Sequence, residues 1–449
     1  MKILFENLGI IKKMELDLSK RLMIFCGQNG TGKTYASYLV YEYINQNLKE
    51  SKPLFDIKDL LEKKNITVEL NDDNLFLLAK EYAAIDISTI NRLFGLSQQT
   101  TRFSNFKSQL ISSKEEFIKG IRSISTKRRF LSTGSVIRLN KEYDSNSISL
   151  SLELRESGNT DNDDLVKLIN LINKRQNNLI NRFFAKQSLT KTYILPVERN
   201  SVYTFIDELA VNQLNNLGIE NDIKKNRYPH PILNALETAA DLKRIKKEKS
   251  RYSWLAEEIE KDILHGNISV SEDGELQFTS QKAPDIALSV HLSASVIKNL
   301  SGLLIYLKHL ANANDLLIID EPELGLHPDN QIVLARIFAK LIHNNIRLLI
   351  CTHSDYIIRE LNNLIMLSSE KISEEVIQKW GYKNTDKINP DEVGVYLFDF
   401  DKDNTNSVEV TPLPVKESGF EVKTIEEAVG SLSDRSLELY YEVMKGKDE

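Results

Sequence analysis

Three short, uninterrupted apolar runs stand out along this chain, at residues 22–26, 316–319 and 348–351. Each ends in small or polar side chains, so each predicts a strand buried on both faces, the pattern of a parallel sheet. A helix-like stretch at residues 35–41 follows the first run. The interval between the second and third leaves room for one helix, near residues 328–343, as a βαβ unit requires. Residues 192–196 predict a further strand returning to the same group. These elements predict an α/β fold, a mixed sheet flanked by helices.

A long insertion follows the first run. Its periodicity predicts helices near residues 56–64, 75–82, 114–124 and 164–184, with a strand pair at 135–140 and 147–154 between them. No sustained heptads occur, so a compact, mainly helical lid or docking domain is expected instead of a long coiled-coil arm. Helix-like sequence resumes at residues 231–263. Asp273-Gly274, between residues 266–270 and 275–278, is a hairpin signal. Residues 393–400 and 407–411 predict another hairpin. Its acidic turn, residues 399–403, reads as ordinary loop chemistry, because an EF-hand needs glycine where Asn404 stands and glutamate where Val410 stands.

Composition narrows the class. The chain has 449 residues, 41% hydrophobic and 27% charged, enough for two or three soluble domains. Its net charge of -6 argues against a whole-chain polyanion binder. No apolar stretch approaches a membrane span, and the first residues lack a secretory leader's apolar core, so a cytoplasmic location without membrane contact is expected. Cys26 and Cys351 each close an apolar run and read as buried, reduced thiols. Residues 243–251 break the charge balance, with six basic side chains in nine. A solvated helix face is the ordinary reading of such a run, and contact with a phosphate backbone is the alternative. Lys127-Arg128-Arg129 is a shorter patch of the same kind.

Candidate chemistry gathers where the apolar runs end. Gly27-Gln28-Asn29-Gly30-Thr31-Gly32-Lys33-Thr34 fits the phosphate-binding P-loop. Gly27, Gly30 and Gly32 let the backbone N–H groups of this loop, those of Asn29 and Thr31 among them, converge on phosphate oxygens. The helix that follows adds its positive dipole end. Lys33 is expected to neutralise the β- and γ-phosphates and Thr34 to hold Mg²⁺. The second run ends in Asp320-Glu321-Pro322, the Walker B pattern. Asp320 would hold Mg²⁺, usually through water, and Glu321 would act as general base on the attacking water. The third run ends in Thr352-His353-Ser354. Lying at the carboxyl end of a parallel strand, His353 is expected to hydrogen-bond the γ-phosphate or the attacking water. The ligands implied are ATP and Mg²⁺, and the reaction is ATP hydrolysis.

The order of these motifs resembles that of the ABC-type ATPases, in the soluble branch of RecF, Rad50/SMC heads and OLD-like proteins. Within that branch it is similar to the AAA_15/AAA_21 ATPases, such as the ATPase subunits of the PARIS and Septu anti-phage systems. Further carriers of the resemblance are residues 2–7 and 14–18, like the hairpin before the P-loop in those heads, Leu292-Ser293-Ala294-Ser295, and Glu323-Leu324-Gly325-Leu326-His327-Pro328. It covers residues 1–45 and 285–365. The resemblance implies that Ser293 and Ser295 form the signature motif, which reaches across a dimer to the γ-phosphate bound by the other subunit. Ala294 and Ser295 stand where glycines are usual there, and the plain reading of the segment is a helix N-cap. Gln98 and Gln99 are the candidates for a Q-loop glutamine.

By the same resemblance the chain is expected to form a homodimer or larger even-numbered assembly, a nucleotide-dependent switch or scaffold in antiviral defence. The toxin or nuclease effector would be a separate protein, since the 84 residues after position 365 are few for a catalytic domain of ~100. A RecF-like ATPase binding DNA directly and a nearly inactive ATP-binding scaffold stand as alternatives. The expected organisation splits the ATPase head into a first segment at 1–55 and a second at 191–365. The insertion at 56–190 separates them, and an α+β extension follows at 366–449.

Overall fold

The computed structural model describes residues 1–45, 57–96, 101–132, 135–154, 191–204 and 228–445. Strands β1 (Lys2–Leu8) and β2 (Ile11–Asp17) form an antiparallel hairpin with Phe5 opposite Met14. β3 (Leu22–Gly27) is buried along its whole length and leads through the P-loop into the helix Lys33–Asn45. The insertion supplies β4 (Asn65–Glu69), β5 (Lys107–Leu110), β6 (Thr126–Ser132), β7 (Ser135–Lys141) and β8 (Ser147–Leu154). β9 (Thr192–Leu195) follows, then a small antiparallel sheet of β10 (Gly266–Val270), β11 (Leu276–Ser280) and β12 (Ala287–Ser289). The last strands are β13 (Leu316–Asp320), β14 (Arg347–Cys351), β15 (Val393–Phe400) and β16 (Val408–Leu413).

Among the described residues, nine strands make one mixed sheet in the order β5-β1-β2-β16-β15-β3-β14-β13-β9. From β15 to β9 every neighbouring pair is parallel. Successive residues of these strands feed opposite cores, as the pleat requires. Met23, Phe25, Ile318 and Leu349 pack with Leu39 and Tyr43 of the helix Lys33–Asn45. Ile24, Ile319 and Ile350 pack on the other face with Leu304, Phe338 and Leu361, from the helices Ser295–Ile305, Pro328–His343 and Asp355–Met366. A sheet covered on both faces explains the uninterrupted apolar runs. It also aligns the carboxyl ends of β3, β14, β13 and β9 along one edge, where open α/β sheets bind ligands. The hairpin of β15 and β16 sits inside this sheet, between β2 and β3, so the segment after residue 365 contributes two of the nine strands.

The insertion holds helices at Ile57–Lys63, Asp72–Ala83, Ile87–Leu93 and Lys114–Arg122. The expected strand pair is present as β7 and β8, and β4 and β6 widen it to a four-stranded antiparallel sheet. β4 escapes a periodicity reading because its alternation is between exposed and only half-buried positions. Polar β5 leaves the insertion to cover the edge of β1. The helix expected at 164–184 and the candidates Gln98 and Gln99 lie outside the described residues.

One expectation needs correction. Residues 231–263 are not a continuous helix but three, His230–Ala240, Leu242–Ile245 and Ser253–Ile259, the last continuing as a π-helical turn. The chain breaks at residues 246–252 because Ser250 is tied elsewhere: its N–H donates to the Lys308 carbonyl (2.8 Å) and its hydroxyl to that of Ala311 (2.9 Å). The basic run therefore occupies a short turn and a loop, with Lys243, Arg244, Lys247, Lys249 and Arg251 exposed. At the acidic turn, Asp401 forms an ion pair with Lys12, and no group of three or more acidic, histidine or cysteine side chains is placed to hold a metal ion among the described residues. Cys26 and Cys351 are free and buried. Among the described residues, no helix is long and apolar enough to cross a membrane.

Candidate functional site

The P-loop is shaped by its glycines. Gly27 lies at φ +127°, and a Cβ there would sit 2.0 Å from the Phe398 carbonyl oxygen of β15. Only glycine fits so close an approach. Gly30 and Gly32 also take positive φ, +77° and +88°. The buried Thr31 closes the loop, its hydroxyl donating to the Gln28 carbonyl at 2.8 Å. Lys33 is buried as well, and its ammonium donates to the carbonyls of Gly27 (3.0 Å) and Gln28 (2.7 Å). Burial lowers its pKa, while nearby groups including Asp320 favour the charged form. Asn29 is exposed at the loop tip.

The Walker B end meets the P-loop directly. Thr34 Oγ1 donates to Asp320 Oδ2 at 2.6 Å. Asp320 is 2% exposed, and burial raises its pKa to about 6 against the opposing hydrogen bond from Thr34. An adjacent hydroxyl and carboxylate are hard oxygen donors, and a partial site of this kind suits Mg²⁺, which takes one or two protein oxygens and completes its shell with phosphate and water. Glu321 follows in the left-handed region at φ +49°. Such a conformation costs a non-glycine residue about 1 kcal/mol or more. It is held by the Glu321 N–H, which donates to the Cys351 carbonyl at 2.9 Å.

Arg199 holds this turn from beneath, and no motif announces it. Its guanidinium, 3% exposed, donates to the carbonyls of Asp320 (2.6 Å), Glu321 (2.6 Å), Pro196 (3.1 Å) and Asn299 (3.1 Å). Burial lowers its pKa to about 10, which leaves it charged at neutral pH. One side chain thus ties the Walker B turn to the end of β9 and to the helix Ser295–Ile305. The legible signal is a second apolar strand ending in charge, Ile194-Leu195-Pro196-Val197-Glu198-Arg199.

Glu323 is the other residue missed. Its carboxylate accepts from the buried Thr352 hydroxyl (2.9 and 3.0 Å) and from the His353 N–H (3.0 Å), and stands 3.6 Å from His353 Nδ1. His353 is thereby fixed at the end of β14 beside the Walker B turn. Glu321, Asp320, His353 and the P-loop residues all lie at the carboxyl ends of three consecutive parallel strands.

Ser293 and Ser295 are placed differently. Ser293 donates to the Ser289 carbonyl at 3.2 Å, and Ser295 Oγ lies beside Gly325. The N-cap position of the helix Ser295–Ile305 belongs to Ala294, with no side-chain capping bond, so the serines do not cap it. Further along, Asn299 Nδ2 donates to the Leu324 carbonyl at 2.9 Å, linking this helix to the loop after Walker B.

The family model described as AAA_15, AAA ATPase domain, matches residues 1–358. No curated protein matches the chain in sequence. Among solved structures, an SMC head bound to the C-winged helix domain of ScpA is 11% identical, with a TM-score of 0.35 over 93% of this chain and 98% of that one. An SMC head with an extended coiled coil, bound to the C-terminal domain of ScpA derived from Pyrococcus furiosus, is 12% identical, with a TM-score of 0.35 over 97% and 98%. The SMC head domain from Thermotoga maritima is 9% identical, with a TM-score of 0.32 over 92% and 98%.

Proposed function

The chain belongs to the AAA_15 ATPase-domain family, and from that premise we propose that it binds and hydrolyses Mg-ATP and uses the nucleotide to control assembly. The observation that carries the reading is the direct contact of Thr34 with Asp320 beside the buried Lys33. It brings the phosphate loop, the metal donors and the Glu321 turn to one edge of the sheet. In this reading Lys33 and the loop amides hold the phosphates, Thr34 and Asp320 hold Mg²⁺, Glu321 accepts a proton from the attacking water, and His353, fixed by Glu323, contacts the γ-phosphate. When bound, the metal supplies charge neutralisation at the phosphates. Ser293 and Ser295 act on a second copy, so that ATP favours a closed dimer and hydrolysis releases it.

The biological role we infer is that of an ATPase subunit in anti-phage defence, acting through a separate toxin or nuclease. Its support is the motif resemblance to the PARIS and Septu ATPases. The test is mass photometry of the wild type and Glu321→Gln, with and without Mg-ATP. ATP is expected to shift mass to dimers or larger even-numbered assemblies. The variant should hold that state while turnover drops about 10²–10⁴-fold, the usual weight of a general base. Bound nucleotide with unchanging mass would defeat the switch and leave a constitutive scaffold.

A second reading, direct DNA binding, is favoured by one observation. Lys246, Lys247 and Lys249 line a concavity of about 660 Å³ with His309, which Glu248, Glu257 and Glu260 also line, Glu260 being paired with Lys308 at 2.6 Å. Salt-sensitive, DNA-stimulated hydrolysis that disappears when residues 243–251 are neutralised would support it.

A further inference from the structure

We propose that the helix Lys423–Lys445 docks antiparallel on the same helix of a second copy, through a seam that shares no residue with the nucleotide site. Its root belongs to the body. Phe420 and Val422 are buried, and Asn362 of the helix Asp355–Met366 accepts from the Phe420 N–H (2.9 Å) and donates to its carbonyl (2.8 Å). Beyond that root, every described side chain from Glu426 to Met444 is exposed. Water alone does not suit such a sequence. Val429, Leu432, Leu439 and Val443 are 41–63% exposed and, with Ser436, recur at alternating intervals of three and four residues. That spacing keeps one face of a helix toward a partner helix, and helices of this length take most of their stability from such packing.

The seam fits a reversed copy of itself. With the second helix turned end for end and Ser436 level with its Leu439, Leu432 falls level with its Val443. The small serine faces a leucine and each leucine faces a smaller side chain, as close packing favours. Burial of Ser436 strands no donor, because its hydroxyl already donates to the Leu432 carbonyl at 2.9 Å. Charge selects the same register. Arg435 and Glu442 directly precede Ser436 and Val443, on one flank of the seam. The reversed copy sets each level with the other, so opposite charges meet twice. A parallel pair in register would instead stack Ser436 on Ser436 and set Arg435 beside Tyr440. Leu437, Tyr441 and Met444 share another face of the helix and stay outside the pair.

The experiment is disulfide trapping in the full chain without nucleotide. Cys26 and Cys351 are buried, so a cysteine added on the exposed helix reports alone. Ser436→Cys and Leu439→Cys proteins are oxidised separately and as a mixture. Level seam positions bring Cα atoms within the reach of a disulfide, about 4.4–6.8 Å, whereas in the reversed pair each cysteine stands about three residues along the axis from its own counterpart. The mixture is therefore expected to form covalent dimers at least about tenfold faster than either protein alone. Asp434→Cys, on the opposite face, should form none with either of them. Adding Arg435→Glu to both proteins should slow trapping about 2–5-fold, and a further Glu442→Arg should restore it. Dimers from Ser436→Cys alone at the rate of the mixture would overturn the reversed pairing. A mixture no faster than Asp434→Cys would overturn the helix contact altogether. The ATP switch fails separately. Trapping together with an ATP-insensitive mass would defeat only the switch, whereas an ATP-driven mass shift without trapping would defeat only the seam.

Discussion

The Walker end and the signature end of the proposed ATP site differ in how much of their hydrogen bonding is satisfied within one chain. At the Walker end Lys33, Asp320, Thr352 and Arg199 are buried, and each has its partners inside the fold. At the signature end Ser293 is half-buried, Ser295 is exposed, and the neighbouring Leu292 is 71% exposed. A region that satisfies itself can bind ligand alone. An apolar side chain in water ahead of a helix start with free N–H groups invites a second surface. The asymmetry is what a site shared between two copies requires, and it sets where each kind of mutation should be felt.

The largest effect is expected where the two ends are joined. Arg199 is the strut, donating to the Walker B turn and to Asn299 of the signature helix. Arg199→Ala takes the guanidinium from four carbonyls, of which Pro196 keeps the bond from the residue 199 N–H, and is expected to lower stability by about 3–5 kcal/mol, softened where water enters. Arg199→Lys should recover less than half, since an ammonium cannot reproduce the planar fork. Urea denaturation of the three proteins measures this. A change below about 1 kcal/mol would mean that the two ends are coupled by some other contact.

The same strut shows why some of the site was hidden in the sequence. The P-loop and Asp320-Glu321 are legible because contiguous residues carry their chemistry: glycines set the turn, and the side chains follow at fixed spacing. Arg199 acts on backbone carbonyls as far as 122 residues away, and Glu323 on residues 29 and 30 positions along. Their partners exist only after β9, β13 and β14 lie side by side. The parallel core was likewise visible, because burial on both faces writes continuous apolar runs. β5 was not, since its Lys107-Ser108-Gln109-Leu110 has no apolar pattern and pairs by covering the edge of β1.

A second test isolates the Walker end by pH. Burial raises Asp320 from the ordinary 3.8 to about 6, so the folded protein binds this proton more tightly than the unfolded chain. Its contribution to stability is therefore full below pH 3.8 and is lost as pH rises through about 6, a swing of about 3 kcal/mol. Metal-free wild type should lose stability between about pH 3.8 and about 6 relative to Asp320→Asn, which has no proton to lose. Mg²⁺ favours the ionised carboxylate, so its apparent affinity should fall about tenfold per pH unit below about 6. Parallel thermal melts of the two proteins would expose a Walker end that is not strained in this way, because their pH curves would then coincide.

The smallest effect is expected at the signature end, and it is the most telling. Ala294 already occupies the N-cap without a side-chain bond, so alanine at position 293 or 295 removes no cap from the helix. The intramolecular bond lost from Ser293, to the Ser289 carbonyl, is long and near the surface. Ser293→Ala and Ser295→Ala should leave the melting temperature and monomer nucleotide affinity nearly unchanged. If the hydroxyls donate to phosphate on a second copy, each substitution should weaken the ATP-driven dimer by about 5–100-fold, the worth of two hydrogen bonds, one from each copy. Sedimentation velocity with Mg-ATP in the Glu321→Gln background reads that shift without turnover. A dimer constant unmoved by both substitutions would take the serines out of the shared site. Any trans contact there would then belong to the helix amides and the exposed Leu292.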